Sequence, residues 1–177
     1  MKVLISQEKI QDKITELSDS INKFILEKYP NDDIVFICVL TGSIFFFSEL
    51  LRKIKIEVIT DYIKISSYQG KSTSYNVKIL KDISVDITDK VVFVIEDIVD
   101  TGLTLNKIIS LFKERNPKDI IICTLLDKPS QRIIDVKIDF VGFEIPPEFV
   151  VGYGLDYNEK FRNKPYIYCL EEDEYAN

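Results

Sequence analysis

A chain of 177 residues has the length of one ordinary domain, and we expect residues 1–177 to fold as a single domain. Its 46% hydrophobic and 29% charged residues exclude an intrinsically disordered chain. The formal net charge is −6, which argues against a nucleic-acid partner, and the absence of histidine excludes every mechanism that needs an imidazole base or ligand.

Apolar segments and cysteines indicate where the protein resides. The longest apolar run, Ile34–Leu40, is too short to cross a bilayer, and the N-terminus lacks the apolar region of a signal peptide. We therefore expect a cytoplasmic protein with no membrane partner. Cys38, Cys123 and Cys169 are scattered among apolar neighbours, which favours buried thiols over disulfides or a metal site.

Hydrophobic spacing divides the chain into alternating helices and strands. Ser6 stands at the position of an N-cap for the first helix. In chain order the spacing predicts a helix at 7–28, a buried strand at 34–39, a second helix after 43 and a strand at 59–66. A polar stretch follows from Ser67 to Tyr75. Beyond it the spacing predicts a buried strand at 91–95, a helix that carries Leu105 and Phe112, and strands at 120–126 and 139–143.

Strands of continuous apolar character that alternate with helices are typical of a parallel sheet covered on both faces. The sequence therefore predicts an α/β fold with a central, mainly parallel sheet flanked by helices. Ligands of such sheets bind beyond the carboxyl ends of the strands, so the residues that follow each strand are the candidates for a site.

The strand at 91–95 is followed by the strongest functional signal. Glu96 and Asp97 close the strand, Asp100 comes next, and a Thr-Gly-Leu-Thr turn at 101–104 opens a helix. Hydroxyls, a glycine and free backbone N–H groups at a helix start form an anion cradle. An ordinary capped turn would explain Asp100 alone, but it would not explain two adjacent acids on a buried strand, whose like charges repel.

This segment resembles the phosphoribosyl-diphosphate-binding signature of type I phosphoribosyltransferases. The resemblance implies that Glu96 and Asp97 contact the ribose hydroxyls. It also implies the family fold, with a small hood region built from the chain ends. The implied 5-phosphate loop consists of Asp100, Thr101, Gly102, Leu103 and Thr104.

Other segments extend the resemblance over nearly the whole chain and direct it to hypoxanthine-guanine phosphoribosyltransferases. Segment 39–43 resembles the diphosphate loop, although Thr41 stands where the family commonly has a basic residue. Ser67 and Tyr68 resemble the start of the mobile loop that closes over the site. Segments 125–129 and 139–162 resemble the base-recognition regions. The implied roles are diphosphate binding for Leu40, Thr41, Gly42 and Arg162, and purine binding for Lys128, Phe149, Val150 and Asp156.

Side-chain chemistry fits these roles, although each residue also has a plainer interpretation. Lys128 has only donors, so it can satisfy a carbonyl at purine C6 but not an amino group. Phe149 can stack on a base, and Arg162 presents a planar fork to diphosphate oxygens. Asp156, with Glu96 and Asp97, offers hard oxygen ligands for Mg²⁺. Taken singly, Lys128 is explained as a surface charge and Phe149 as a core aromatic. Arg162 is explained as part of a surface ion pair, and Asp156 as a turn residue.

The resemblance implies a Mg²⁺-dependent transfer of the 5-phosphoribosyl group from phosphoribosyl diphosphate to a 6-oxopurine base. Asp100 is the candidate general base, and the polar stretch from Ser67 to Tyr75 is the candidate lid. Relatives are dimers or tetramers, so a homodimer or homotetramer is expected. An aspartyl phosphatase is disfavoured because two residues, rather than one, separate Asp97 from Asp100. An RNA-binding regulator of the same fold is disfavoured by the acidic balance.

Overall fold

The computed structural model describes residues 2–69 and 75–170. Three α-helices lie at Gln7–Lys28 (α1), Ile44–Leu51 (α2) and Leu103–Lys113 (α3), and a 3₁₀ turn at Pro129–Gln131. The strands are Lys2–Ile5 (β1), Ile34–Leu40 (β2), Ile59–Gln69 (β3), Tyr75–Lys81 (β4), Val91–Val99 (β5), Asp119–Asp127 (β6), Phe140–Glu144 (β7), Val150–Val151 (β8) and Ile167–Cys169 (β9).

Six strands form the central sheet in the order β4-β3-β2-β5-β6-β7. Neighbouring strands are parallel, except that β4 runs antiparallel to β3 at one edge. The residues of β2 and β5 are buried on both faces, because α1 and α2 cover one face and α3 covers the other. The predicted α/β fold with a mainly parallel, helix-flanked sheet is confirmed.

Aromatic packing fills the core between the sheet and α1. Phe36 of β2 and Phe93 of β5 are fully buried and stack with ring centroids 4.8 Å apart. Their strands pair directly, with Phe36 opposite Phe93 in the register. This pairing aligns the carboxyl ends of β2 and β5, which carry the predicted diphosphate loop and acid pair.

The first helix has the predicted bounds. The backbone N–H of Lys9 donates to the Ser6 hydroxyl at 3.3 Å, so Ser6 caps the helix as expected. The side chains of Ile10, Ile14 and Ile21 are fully buried against the sheet. A helix of 22 residues carries its apolar stripe over many turns, which is why its sequence pattern was unambiguous.

A second, three-stranded antiparallel sheet has the order β1-β9-β8 and joins the two ends of the chain. We call this sheet, together with the segment that links β8 to β9, the hood. It agrees with the hood that the family resemblance implied. Its strands have only two to four residues each, and hydrophobic spacing predicted none of them. Segments this short do not complete a recognisable period.

The strand predicted at 59–66 is longer than expected, since it takes up the start of the polar stretch from Ser67 to Tyr75. β3 continues to Gln69 and pairs in antiparallel fashion with β4, which begins at Tyr75. Residues 70–74 lie outside the described residues, as do the side chains of Ser67 and Tyr68.

The structure also shows the state of the three cysteines and the character of the helices. Cys38 and Cys123 are buried free thiols as predicted, whereas the prediction of burial was wrong for Cys169, a free thiol that is partly exposed. None of the helices in the described part of the chain combines the length and the apolar character needed to cross a bilayer.

Candidate active site

A cavity of about 690 Å³ opens at the carboxyl ends of β2, β5 and β6. Among the residues whose side chains the structure describes, its lining contains every site residue predicted from the sequence; the side chains of Ser67 and Tyr68 lie outside that part of the chain. The predicted residues in the lining are far apart in the chain and meet because each follows a strand of the sheet or lies at the hood. They are Leu40, Thr41, Gly42, Glu96, Asp97, Asp100, Thr101, Gly102, Leu103, Thr104, Lys128, Phe149, Val150, Asp156 and Arg162.

The turn between β5 and α3 is held in a shape that only glycine permits at its centre. Gly102 has φ of +83°, and a Cβ at this position would overlap the carbonyl oxygen of Ile134. The N–H groups of Ile133 and Ile134 both donate to the Thr101 carbonyl, at 2.9 and 3.0 Å. The first N–H groups of a helix have no intrahelical partner. Since Leu103 and Thr104 line the cavity, the start of α3 is available to bind an anion there.

Arg132 supports this turn from behind, a role that the sequence did not reveal. Its Nη1 donates to the carbonyl of Asp100 at 2.8 Å, and its Nη2 pairs with the Asp127 carboxylate. Both side chains of the ion pair are largely buried. Arg132 thereby fixes the peptide of Asp100, while the carboxylate of Asp100 remains exposed in the cavity.

The acid pair at the end of β5 is poorly solvated. Glu96 is only 6% exposed, and burial together with the neighbouring charge of Asp97 raises the pKa of Glu96 well above its ordinary value. Burial also raises the pKa of Asp97, although hydrogen bonds and the guanidinium of Arg162 act in the opposite direction. A ligand that supplies hydroxyl donors or a cation would relieve this cost of burial.

The diphosphate loop packs tightly against both the acid pair and the hood. The Leu40–Thr41 peptide bond is cis. A Cβ on Gly42 would overlap the carboxylate of Asp97, and a Cβ on Gly154 would overlap the carbonyl of Gly42. The two glycines therefore allow the loop, β5 and the hood to approach one another at backbone distance.

Lys128 and Asp100 form the polar end of the cavity near the hood. Lys128 is 6% exposed, and its Nζ lies 4.0 Å from Asp100 Oδ2. Burial lowers the pKa of Lys128, and the charge of Asp100 partly offsets that effect. Phe149 presents an aromatic surface that is 46% exposed, beside the buried Val150. The arrangement offers a flat apolar surface flanked by a hydrogen-bond donor and an acceptor.

Arg162 lies at the hood side of the cavity and is engaged with its neighbours. Its Nη2 pairs with Asp156 Oδ1 at 2.8 Å and with Glu159 Oε2 at 3.1 Å. Its Nη1 donates to the carbonyl of Gly154 at 2.8 Å. These contacts orient the guanidinium toward the junction of hood and diphosphate loop.

The carboxylates of the cavity meet only part of the coordination that Mg²⁺ needs. In residues 2–69 and 75–170, no three His, Cys, Asp or Glu side chains converge so as to hold a metal ion, so Glu96, Asp97 and Asp156 form no ready-made cage. Mg²⁺ in proteins is commonly held by one or two carboxylates together with waters and substrate phosphate oxygens. Glu96 and Asp97 supply such hard oxygens, and they fit a Mg²⁺ ion that arrives with a diphosphate.

Comparison with known proteins decides the family. Residues 6–158 match the family model of the phosphoribosyl transferase domain. The chain belongs to the phosphoribosyltransferase family. Its relatives include a hypoxanthine phosphoribosyltransferase of Buchnera aphidicola subsp. Schizaphis graminum, 46% identical over 170 residues that cover 94% of both proteins. The hypoxanthine-guanine phosphoribosyltransferase of Bacillus subtilis is 46% identical over 99% of this chain and 96% of the relative.

Solved structures agree with this assignment. The crystal structure of a hypoxanthine phosphoribosyltransferase from Staphylococcus aureus has a TM-score of 0.92 and 41% identity, over 100% of this chain and 95% of that chain. The predicted membership of the phosphoribosyltransferase family is therefore confirmed, together with its fold.

Several residues that line the cavity of this phosphoribosyltransferase were not predicted from the sequence. Lys64, Ile65 and Ser66 lie on β3, and Glu159 lies in the hood. The sequence alone could not place Lys64 in the site, because its proximity to the diphosphate loop arises from strand pairing: its partner in the parallel register is Leu40.

Proposed function

We propose that this chain acts in purine salvage, transferring the 5-phosphoribosyl group from phosphoribosyl diphosphate to hypoxanthine, and to guanine, to give IMP or GMP and diphosphate. The observation that carries the proposal is the pairing of Lys128 with Asp100 in the same cavity as the anion-binding turn. Atoms O6 and N7 are neighbours on a 6-oxopurine. Two groups 4.0 Å apart, one a donor and one an acceptor, can engage both atoms at once.

In the proposed reaction the bond from the anomeric carbon to diphosphate breaks and a bond to purine N9 forms. Loss of diphosphate builds oxocarbenium-like positive charge on the sugar, which the carboxylates of Glu96 and Asp97 stabilise while they hold the ribose hydroxyls. The turn at 101–104 fixes the 5-phosphate. Asp100 accepts the proton from N7 as the new bond forms.

The remaining residues position the two substrates. Phe149 stacks on the base, and the backbone of Val150 meets its edge. Leu40, Thr41 and Gly42 bind the diphosphate through backbone groups, assisted by Arg162. Asp156 keeps Arg162 oriented through the ion pair at 2.8 Å, and it closes the purine subsite. Holding both substrates in line supplies much of the rate enhancement, because it removes the entropy of their encounter.

Mg²⁺ fits this proposal as an ion shared with the diphosphate. Glu96, Asp97 and Asp156 are the carboxylates available to it, directly or through water. When bound, it would neutralise charge on the leaving diphosphate.

The lid, the assembly and the location complete the proposal. The polar segment from Ser67 to Tyr75 is proposed to close over the cavity and exclude water from the activated sugar.

The apolar residues Ile44 and Phe45 are partly exposed on α2 and offer a contact surface for a homodimer or homotetramer. We place the protein in the cytoplasm as a single domain.

The experiment that tests the proposed function is a discontinuous assay of the purified protein with phosphoribosyl diphosphate, hypoxanthine and Mg²⁺. IMP and diphosphate should form in equal amounts, chelation of Mg²⁺ should abolish the reaction, and added Mg²⁺ should restore it. Ribose 5-phosphate, offered in place of phosphoribosyl diphosphate as a control, should yield no nucleotide. A failure to form IMP at saturating substrates would contradict the proposal.

A further inference from the structure

We infer that Lys64 binds the diphosphate group of phosphoribosyl diphosphate, as a cation of the diphosphate subsite. This inference rests on the proposed function, and it adds to the substrate contacts a residue on β3 that no sequence motif identified. Three observations support it: the position of Lys64 in the sheet, the charges around the cavity, and the partners of the neighbouring cations.

The strand register places Lys64 beside the diphosphate loop. β3 runs parallel to β2, with Lys64 paired to Leu40, the residue that enters the loop. Two residues earlier, Tyr62 packs against Phe47 of α2, whereas Ile63 belongs to the core on the opposite face. Because side chains alternate along a strand, Lys64 emerges on the α2 face, where it lines the cavity together with Thr41 and Gly42.

The charge around the cavity favours a contribution from Lys64 to anion binding at this end. Among the described residues, five carboxylates and three basic side chains line it. The substrate brings further negative charge, since it carries a phosphate and a diphosphate. The diphosphate loop itself supplies no charged side chain, because residues 39–43 are all uncharged. A polyanion therefore meets a site whose own side chains are mostly anionic, and every available cation contributes to binding.

Two of the three basic groups are already engaged. Lys128 lies 4.0 Å from Asp100, and Arg162 is paired with Asp156 and Glu159. Lys64 is exposed, and within the described part of the chain no carboxylate pairs with it. It can therefore turn toward a diphosphate oxygen without breaking an existing ion pair.

Lys64 is also not required to hold its own strand. Its antiparallel neighbour in the register is Lys81, which performs that task. Lys81 Nζ lies 3.5 Å from Asp61 and donates to the carbonyls of Tyr62 and Asp82 at 2.8 and 3.0 Å. Removing the charge of Lys64 should consequently leave the β3–β4 pair intact.

The test is steady-state kinetics of Lys64→Gln in both directions of the reaction. We expect the KM for phosphoribosyl diphosphate to rise roughly tenfold, as for the loss of one charge-assisted hydrogen bond. In the reverse reaction the KM for diphosphate should rise similarly. The KM values for hypoxanthine and IMP should stay within about twofold of the wild type. Lys64→Arg keeps the positive charge and should restore most of the affinity for both diphosphate-containing substrates. The wild-type KM for phosphoribosyl diphosphate should also depend more steeply on ionic strength than that of Lys64→Gln.

Lys78→Gln is the matched control, because Lys78 is an exposed cation on the adjacent β4 that does not line the cavity. Unchanged KM values in Lys64→Gln, with an active wild type, would overturn the inference and leave the proposed function intact. An equal rise in the KM for IMP would also overturn it, since the effect would then not be specific to diphosphate. A wild type inactive with every base would overturn the proposed function and this inference together.

Discussion

At the scale of single residues, the burial of Lys128 supports the selectivity proposed for the site. Lys128 is nearly enclosed, so its ammonium group cannot rely on water and needs an acceptor within the cavity. A purine with oxygen at C6 supplies that acceptor, whereas an amino group would leave donors facing donors. Asp100 differs from Lys128 in that its carboxylate is about half exposed while its peptide is fixed by Arg132. The side chain proposed to exchange a proton is thus accessible, and the backbone that positions it is held by a hydrogen bond from Arg132.

Replacing Asp100 by Asn keeps the shape of the side chain and removes the basic oxygen. We expect kcat to fall by on the order of 10²-fold or more, with KM values changed less than about threefold. Steady-state kinetics with hypoxanthine measures both values. Asp135→Asn, at an exposed position outside the cavity next to the Ile134 that packs on the turn at 101–104, should behave as the wild type. An unchanged kcat in Asp100→Asn would remove Asp100 from the role of general base.

Which site residues could be predicted from the sequence depends on how local their signals are. Glu96, Asp97 and the turn at 101–104 form one continuous segment, so strand, acids and helix start could be recognised together. The roles of Arg132 and Lys64 depend on contacts between distant segments. Arg132 meets the Asp100 carbonyl only after the chain has passed through α3 and β6, and Lys64 meets Leu40 only through strand pairing. No local pattern records such contacts.

At the scale of elements, the site is a junction of four backbone segments. The turn before α3 packs on residues 132–134, and the diphosphate loop packs on the hood through Gly42 and Gly154. Glycine stands at these contacts because a Cβ would overlap a carbonyl or a carboxylate there. The functional loops are therefore shaped by close backbone packing, in addition to the side chains they carry.

Gly102→Ala tests this packing. The added Cβ would meet the Ile134 carbonyl, and the positive φ disfavours alanine, so we expect the free energy of unfolding to fall by about 1–3 kcal/mol. The KM for phosphoribosyl diphosphate should rise as well, because the anion-binding turn is displaced. Urea unfolding and kinetics measure the two effects. Ser110→Ala, on the exposed face of the same helix, is the control, and wild-type values in Gly102→Ala would show that the turn tolerates a side chain.

Long and well-buried helices and strands were predicted correctly from the sequence, whereas short or exposed ones were missed. α1 and the buried strands were identified because their apolar spacing persists over many residues. β8 has two residues and β9 three, and their place in the hood is decided by pairing with β1 from the other end of the chain. β4 is an edge strand whose described positions 77–81 are all partly or largely exposed, so it lacks the buried apolar run by which the central strands were recognised.

At the scale of the whole molecule, two apolar cores share one sheet. Phe93 lies in the core under α1 and α2, and Ile108 of α3 lies in the core on the other face. Adjacent residues of β2 and β5 point into opposite cores, so neither core can lose its packing without disturbing the strands that support the other. This arrangement supports the proposal of a single domain.

Phe93→Ala and Ile108→Ala should each destabilise the entire fold. Both side chains are fully buried, and we expect losses of about 3–5 and about 2–5 kcal/mol, respectively, in the free energy of unfolding. Far-UV circular dichroism and tyrosine fluorescence should report one coincident urea transition in each variant and in the wild type. Ser20→Ala, at an exposed position of α1, should change little. Two separate transitions would contradict a single cooperative domain.

The most direct measurement offers hypoxanthine, guanine, xanthine and adenine separately to the purified protein with phosphoribosyl diphosphate and Mg²⁺, and follows nucleotide formation spectrophotometrically. Hypoxanthine and guanine should be converted, and adenine should not, because its amino group cannot accept a hydrogen bond from Lys128. Conversion of adenine at a comparable rate would contradict the role of Lys128 in selectivity. The absence of turnover with every base would contradict phosphoribosyl transfer itself.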